Sequence, residues 1–129
     1  METKFNFNSA ICTSKAQSER LLALGLKKET ADMAIPKNGG KPFVLKYEYN
    51  DREGNCIPAW SLARLVELMP QSIEYEGNTL YLTIYAEDVF YTNWKEHTPL
   101  ARTLNLYEHL IWYIEWLIKE GYFPKENLV

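Results

Sequence analysis

The sequence predicts a single α+β domain spanning residues 1–129, with about three helices packed on a mainly antiparallel sheet of four to six strands. Three observations carry this reading. Capped segments with apolar residues at helical spacing occur near residues 15–24, 58–69 and 104–121. Between them lie short alternating runs separated by turn-forming residues. Hydrophobic residues make up 47% of 129 positions, enough to bury one core of ordinary domain size.

Residues 1–12 read as an extended arm in which Phe5, Phe7 and Ile11 alternate loosely with polar neighbours. Ser14 and Gln17 have the spacing of a capping box, so the first helix is expected over 15–24, with Leu21, Leu22 and Leu24 turned inward. Gly25 followed by Leu26 suits a Schellman stop. Residues 30–35 form a short β-leaning stretch closed by Pro36, and 37–42 form a loop. Phe43 to Tyr49 alternates, with Phe43, Leu45, Tyr47 and Tyr49 on one face. That pattern predicts a half-buried strand. The polar turn 50–55 then returns the chain through Cys56-Ile57 as the second arm of a hairpin. The second helix enters near Pro58, with Ser61 as an alternative cap. It buries Leu62, Leu65, Val66, Leu68 and Met69 and stops at Pro70.

Residues 72–94 read as a three-stranded meander. A Gly77-Asn78 turn would pair Tyr75 with Leu80 and Ile73 with Leu82. A tip at Glu87-Asp88 would pair Ile84 with Tyr91, and Tyr81 with Trp94. The outer face then carries Tyr81, Tyr85, Phe90 and Trp94, where an exposed sheet face is normally polar. After a linker at 95–99, Thr103 is the expected cap of a third helix running to Gly121. That helix has an aliphatic stripe of Leu104, Tyr107, Leu110, Ile111, Ile114, Leu117 and Ile118. Glu108, Glu115 and Lys119 form a charged strip beside it. A second aromatic side holds His109, Trp112, Tyr113 and Trp116, with the two tryptophans at i, i+4 spacing. Three covers are open for that side: another helix of the same domain, a second subunit, or a bound ligand.

Net charge is −3 but uneven. Residues 15–46 hold seven bases and three acids, net +4, whereas 47–129 hold six bases and thirteen acids, net −7. The two ends could steer partners or set head-to-tail contacts. A net acidic chain without arginine clusters argues against nucleic acid as a partner. No apolar run is long enough for a membrane span, and the N-terminal residues lack the pattern of a secretory signal. Cys12 and Cys56 lie outside any Cys-x-x-Cys, which fits free thiols in the cytoplasm better than a disulfide or a zinc site.

Catalytic chemistry has little to stand on. His97 and His109 are the only histidines, and neither is spaced to activate a cysteine. The acid pairs Asp51/Glu53 and Glu87/Asp88 sit in turns, which such residues favour for their own sake. Phosphate loops, metallopeptidase motifs and nucleophile elbows are missing. No cofactor and no metal is expected.

Several strings occur together: Gln17-Ser18 before Leu21-Leu22, Leu24-Gly25-Leu26, Thr30-Ala31-Asp32-Met33, Ile57-Pro58-Ala59-Trp60-Ser61-Leu62, Leu68-Met69-Pro70, and Trp116-Leu117 before Gly121-Tyr122. In this order they resemble a group of small uncharacterised proteins from prophage-like and other mobile regions of gut-bacterial genomes. The resemblance spans about residues 14–123. It implies a cytoplasmic accessory protein of a phage or mobile element, with no activity to carry over. Bottom-up, Trp60 at a helix entry is expected to plug the core and Ser61 to cap. The leading expectation is therefore a non-enzymatic protein–protein interaction role, with a homodimer or another protein as partner through Trp112, Trp116, Tyr113 and His109. The alternative is a small-ligand or single-stranded nucleic-acid binder using Tyr81, Tyr85, Phe90 and Trp94.

Overall fold

A computed structural model describes residues 10–85, 88–101 and 105–129. The first nine residues of the predicted 1–12 arm, the Glu87 turn position, and the Thr103 cap with Leu104 lie outside them. The chain runs α1 (Lys15–Ala23), β1 (Met33–Pro36), β2 (Phe43–Val44), β3 (Cys56–Ala59), α2 (Leu62–Leu68), β4 (Ser72–Tyr75), β5 (Asn78–Tyr85), β6 (Asp88–Thr92) and α3 (Leu106–Glu120). Short 3₁₀ turns occupy Lys28–Thr30 and Lys125–Asn127. The fold is α+β, and among the described residues every strand pairing is antiparallel. The described strands form two three-stranded sheets, ordered β2-β1-β3 and β4-β5-β6, rather than one sheet of four to six.

The reason lies in the centre of the fold. The long apolar helix α3 packs against β6 on one side and against α1 and α2 on others. A helix apolar on two sides separates layers instead of covering one. The second sheet therefore closes on α3, and the first sheet is carried by its contact with α1. The main core joins Leu21, Trp60, Leu65, Leu80, Tyr91, Leu110, Ile114 and Leu117, all fully buried. Cys12, Met33 and Ala59 form a smaller cluster under the first sheet.

Local chemistry sets the helix ends. Ser14 accepts from the Gln17 amide while Gln17 returns a bond to the Ser14 amide, completing the capping box. Gly25, at φ +102°, takes the left-handed position after α1, and the Leu26 amide reaches back to the Leu21 carbonyl at 3.2 Å. Ser61, not Pro58, marks the start of α2, its hydroxyl accepting from the Arg64 amide at 3.1 Å. For α3 the cap is Asn105, two residues after Thr103, and its side chain accepts from the Glu108 amide.

The first sheet departs most from the sequence pattern. Of the 43–49 run, only Phe43 and Val44 pair with β1, and Leu45 makes one last bond to the Asp32 carbonyl. The chain then bends away. Of the predicted inward set, Tyr49 is buried and Leu45 half-buried, while Phe43 and Tyr47 are exposed. The return segment pairs with β1 rather than with the 43–49 run, so β1 is the central strand. A turn-and-cap network holds the bend: Asp51 accepts from the Cys56 amide at 2.8 Å, and the Tyr49 hydroxyl donates to the Cys56 carbonyl at 2.9 Å. The outer edge of β3 offers few donors, since Pro58 has none, Cys56 is bonded to Asp51, and the Trp60 amide donates to the Thr13 hydroxyl.

In the second sheet both registers differ from expectation by two residues. Ile73 opposes Leu80 and Leu82 opposes Tyr91. The first turn is Glu76-Gly77, with φ of +50° and +82°, because a two-residue turn with positive φ at both positions favours glycine second. Asn78 therefore enters the strand opposite Tyr75. Asp88 likewise is a strand residue opposite Tyr85, not a turn tip. A two-residue shift keeps every side chain on its face, so the faces are as predicted although the partners are not, and Ile84, expected inside, is 42% exposed.

Candidate interaction surfaces

The aromatic side of α3 is turned into the protein. Tyr113 and His109 are buried, and Trp112 and Trp116 are half-buried. For Tyr113 and Trp116 cover comes from within the chain, from the second sheet and the C-terminal turn. Tyr91 of β6 sits 6.0 Å from Tyr113 between ring centroids, and Tyr75 of β4 sits 5.9 Å from Trp116. Tyr122 stacks on Trp116 at 5.7 Å. The Tyr113 hydroxyl donates to the Pro99 carbonyl and meets the Thr98 hydroxyl, which accepts from the Tyr91 amide at 3.0 Å. His109 places Nε2 2.9 Å from the Ala101 carbonyl. These polar tips fix the linker between β6 and α3 against the sheet. The charged strip of α3 has a partner too: Arg20 of α1 reaches Glu108 and Glu115 at 3.3 and 3.2 Å.

Exposed rings lie on the outer face of the second sheet. Tyr81 is 57% exposed and Tyr85 74%, four residues apart on the same side of β5. Phe90, opposite Thr83, is half-buried and packs edge-on against His97 at 6.5 Å. Trp94 lies beyond the end of the ladder, where Thr92 rather than Trp94 opposes Tyr81. Its backbone takes φ +75° with its amide donating to the Thr92 hydroxyl, and its side chain is 87% exposed. Left-handed backbone at a bulky residue carries strain, and strain of this kind clusters where a side chain must be presented.

A second exposed group was hidden from sequence reasoning. Val44 is 70% exposed and Tyr47 86%, with Phe43 beside them. Alternation placed Phe43 and Tyr47 inward. No local signal contradicts that pattern, because their exposure follows from the chain leaving the sheet after two residues.

Residues with catalytic potential are dispersed or engaged. Burial, with the Asp32 charge adding to it, raises the Cys12 thiol above its usual pKa. Cys56 is half-buried beside the Tyr49–Asp51 turn. His97 is exposed, with Nδ1 2.8 Å from the Thr98 carbonyl. Asp32 accepts from the Ser61 amide at 2.9 Å and bonds its hydroxyl at 2.5 Å, so two strings singled out in the sequence meet at one junction. Trp60 fills that junction from the inside, its indole N–H donating to the Thr30 hydroxyl at 3.0 Å. This constellation caps α2 and ties it to β1. Among the described residues, no group of three or more His, Cys, Asp or Glu could hold a metal ion. An open groove of about 700 Å³ between α1 and the first sheet is lined by Leu22, Ile35 and Pro58 with Lys15 and Lys37. Glu19 and Cys56 line it as well. Among the described residues no helix is long and apolar enough to cross a membrane.

No protein-family model matches the chain, and neither does any curated protein or solved structure.

Proposed function

We propose that this is a non-enzymatic interaction protein whose contact surface is the outer face of the second sheet. The single observation that carries the reading is the exposed pair Tyr81 and Tyr85 on the outer face of the antiparallel sheet, with the exposed Trp94 beyond the end of the ladder. Clustered exposed aromatics mark contact surfaces, and aromatic residues are enriched at interface centres. The covered tryptophans of α3 support moving the contact away from Trp112 and Trp116. Glu74 and Asp88 lie on the ring face, and β4, β5 and β6 hold no base. That balance favours a protein over a nucleic acid, whose phosphates such a face would repel. A role as a cytoplasmic accessory protein of a phage or other mobile element belongs to the same proposal and rests on the sequence resemblance alone.

The test is a paired affinity capture and sedimentation-velocity experiment on wild type and the Tyr85→Ser/Trp94→Ser variant. Both residues are exposed and distant from the core, so the variant is expected to fold with an unchanged melting temperature. Wild type is expected to retain a protein partner, or to self-associate, and the variant to lose it. Equal retention and equal mass for the two proteins would refute the reading.

A further inference from the structure

The charge and spacing of the groups on the ring face select a partner. From Ser72 to Trp94 the chain holds Glu74, Glu76, Glu87 and Asp88 and no lysine, arginine or histidine. The next base, Lys95, follows Trp94 past the end of the ladder. Strand register sorts these groups. Asp88 stands directly opposite Tyr85, and Glu74 is the diagonal neighbour of Tyr81, since Tyr81 pairs with Ser72 and Thr79 with Glu74. Both acids are exposed and share the outer face with the two rings. The Thr79 hydroxyl donates to Glu74 Oε1 at 2.5 Å, which holds that carboxylate over the face. Among the described residues neither Glu74 nor Asp88 is in an ion pair. Between the rings lie Thr83, whose hydroxyl donates to the Tyr81 carbonyl, and the uncharged Phe90 opposite it. The face thus presents two like units, each a phenol ring with a carboxylate, about 13 Å apart along β5 at a rise of about 3.3 Å per residue.

We infer that the partner of the ring face is an extended segment of another protein carrying two arginines four residues apart, one on Tyr81 with Glu74 and one on Tyr85 with Asp88. The inference deepens the reading of the ring face as a contact surface and rests on it. A guanidinium is planar, so it stacks on a phenol ring while its edge N–H groups stay free to donate to the carboxylate beside the ring. An ammonium has no plane to stack and fits the unit less well. The spacing requires an extended partner. Residues four apart in a strand share a face and are separated by about 13 Å, matching the two units, whereas in a helix they are about 6 Å apart. An acidic segment or a nucleic-acid backbone would bring like charge to both carboxylates.

The test is a nuclear magnetic resonance titration of the full-length protein with a nine-residue probe peptide of serine and threonine that carries two arginines four positions apart. The comparison probes are the same peptide with glutamate at both positions, the same peptide with its arginines three positions apart, and a single-stranded oligonucleotide. The first probe is expected to shift the amides of Tyr81, Thr83, Tyr85 and Asp88 and to bind more tightly than the others. Spacing by three puts the arginines on opposite faces of an extended peptide, so one unit stays empty and affinity is expected to fall at least about twofold. Glu74→Gln/Asp88→Asn removes two exposed charge contacts worth a factor of about two to five each, so binding is expected to weaken about fourfold to twenty-fivefold. Tyr81→Ser/Tyr85→Ser is expected to weaken it at least as much. All four substituted residues are exposed, and dispersed spectra check that both variants are folded. Any one of four results overturns the inference: no shift at millimolar probe, shifts lying off the outer face, equal binding of the glutamate or oligonucleotide probe, or arginine binding indifferent to Glu74→Gln/Asp88→Asn. If Tyr85→Ser/Trp94→Ser then still loses a captured protein partner, the contact surface stands without the arginine chemistry. If that variant keeps every partner that wild type keeps, both readings fall.

Discussion

Tyr113→Phe tests whether the aromatic side of α3 is internal. Tyr113 is fully buried, and its hydroxyl links Thr98 to the Pro99 carbonyl while its ring meets Tyr91, Trp112 and Trp116. The substitution keeps the ring and deletes only the hydroxyl. One hydrogen-bond donor to Pro99 and one acceptor for Thr98 are lost. Removing a partner from a buried polar group costs about 1–3 kcal/mol. Pro99 is exposed, so water can replace its lost donor, which points to the lower part of that range, about 1–2 kcal/mol. Unfolding entropy of about 2.1 cal/mol/K per residue gives about 0.27 kcal/mol/K for a chain of 129 residues. The melting temperature should then fall by about 4–7 °C. Calorimetry measures this directly. A double-mutant cycle with Thr98→Val should show coupling of about 0.5–1.5 kcal/mol, because the two hydroxyls share one chain of bonds from the Tyr91 amide to Pro99. Association measured by sedimentation should be unchanged. An unaltered melting temperature together with altered association would refute the reasoning, because it would mean that this hydroxyl faces a partner rather than the linker.

Two further outcomes follow from local geometry and titration. Glu76 occupies a left-handed position at φ +50° with an exposed side chain that holds no ion pair among the described residues. Glu76→Gly should therefore stabilise the protein by about 0.5–1 kcal/mol, read as a raised denaturant midpoint at constant m-value, and a lowered midpoint would contradict the turn assignment. Burial, opposed by the Thr98 hydrogen bond, pushes the Tyr113 phenol up to about 12, and burial with the Asp51 charge pushes Tyr49 up to about 12. The folded state thus holds these protons more tightly than the unfolded chain, whose phenols ionise near ~10. Their contribution is complete below about pH 10 and is lost as pH rises toward about 12. Phenolate absorbance, compared between wild type and each Tyr→Phe variant, should show both groups ionising together with alkaline unfolding. Ionisation of Tyr113 near pH 10 in the folded protein would count against its burial.

Much of this fold is legible one segment at a time. Ser14 with Gln17, Leu24-Gly25-Leu26, Ser61 and Gly121 mark helix ends because capping and left-handed stops depend on neighbours within a few residues. The inner and outer faces of β5 are also legible, because a period of two survives an error of two in register. For that reason Tyr81 and Tyr85 were readable as surface rings before any pairing was known. Trp60 as a plug and Ser61 as a cap follow from their place at a strand-to-helix junction, and the structure adds that Asp32 and Thr30 hold them.

What the sequence alone could determine was therefore the α+β class, the capping box of α1, the glycine stops of α1 and α3, and which residues of each periodic segment share a face. Those properties depend on backbone dihedrals and hydrogen bonds between near neighbours. Only the tertiary structure decided which face meets what. An i, i+4 pair such as Trp112 and Trp116 looks the same whether a sheet, a subunit or a ligand covers it. The answer depended on Tyr75, Tyr91 and Tyr122, which arrive from other parts of the chain. Strand partners were decided the same way. β1, which the sequence marks only as a short β-leaning stretch, is the centre of a sheet because β3 pairs with its other edge, and the 43–49 run leaves it after two residues, exposing Val44 and Tyr47. Burial is a property of pairs of distant segments, and a single segment carries no record of its cover.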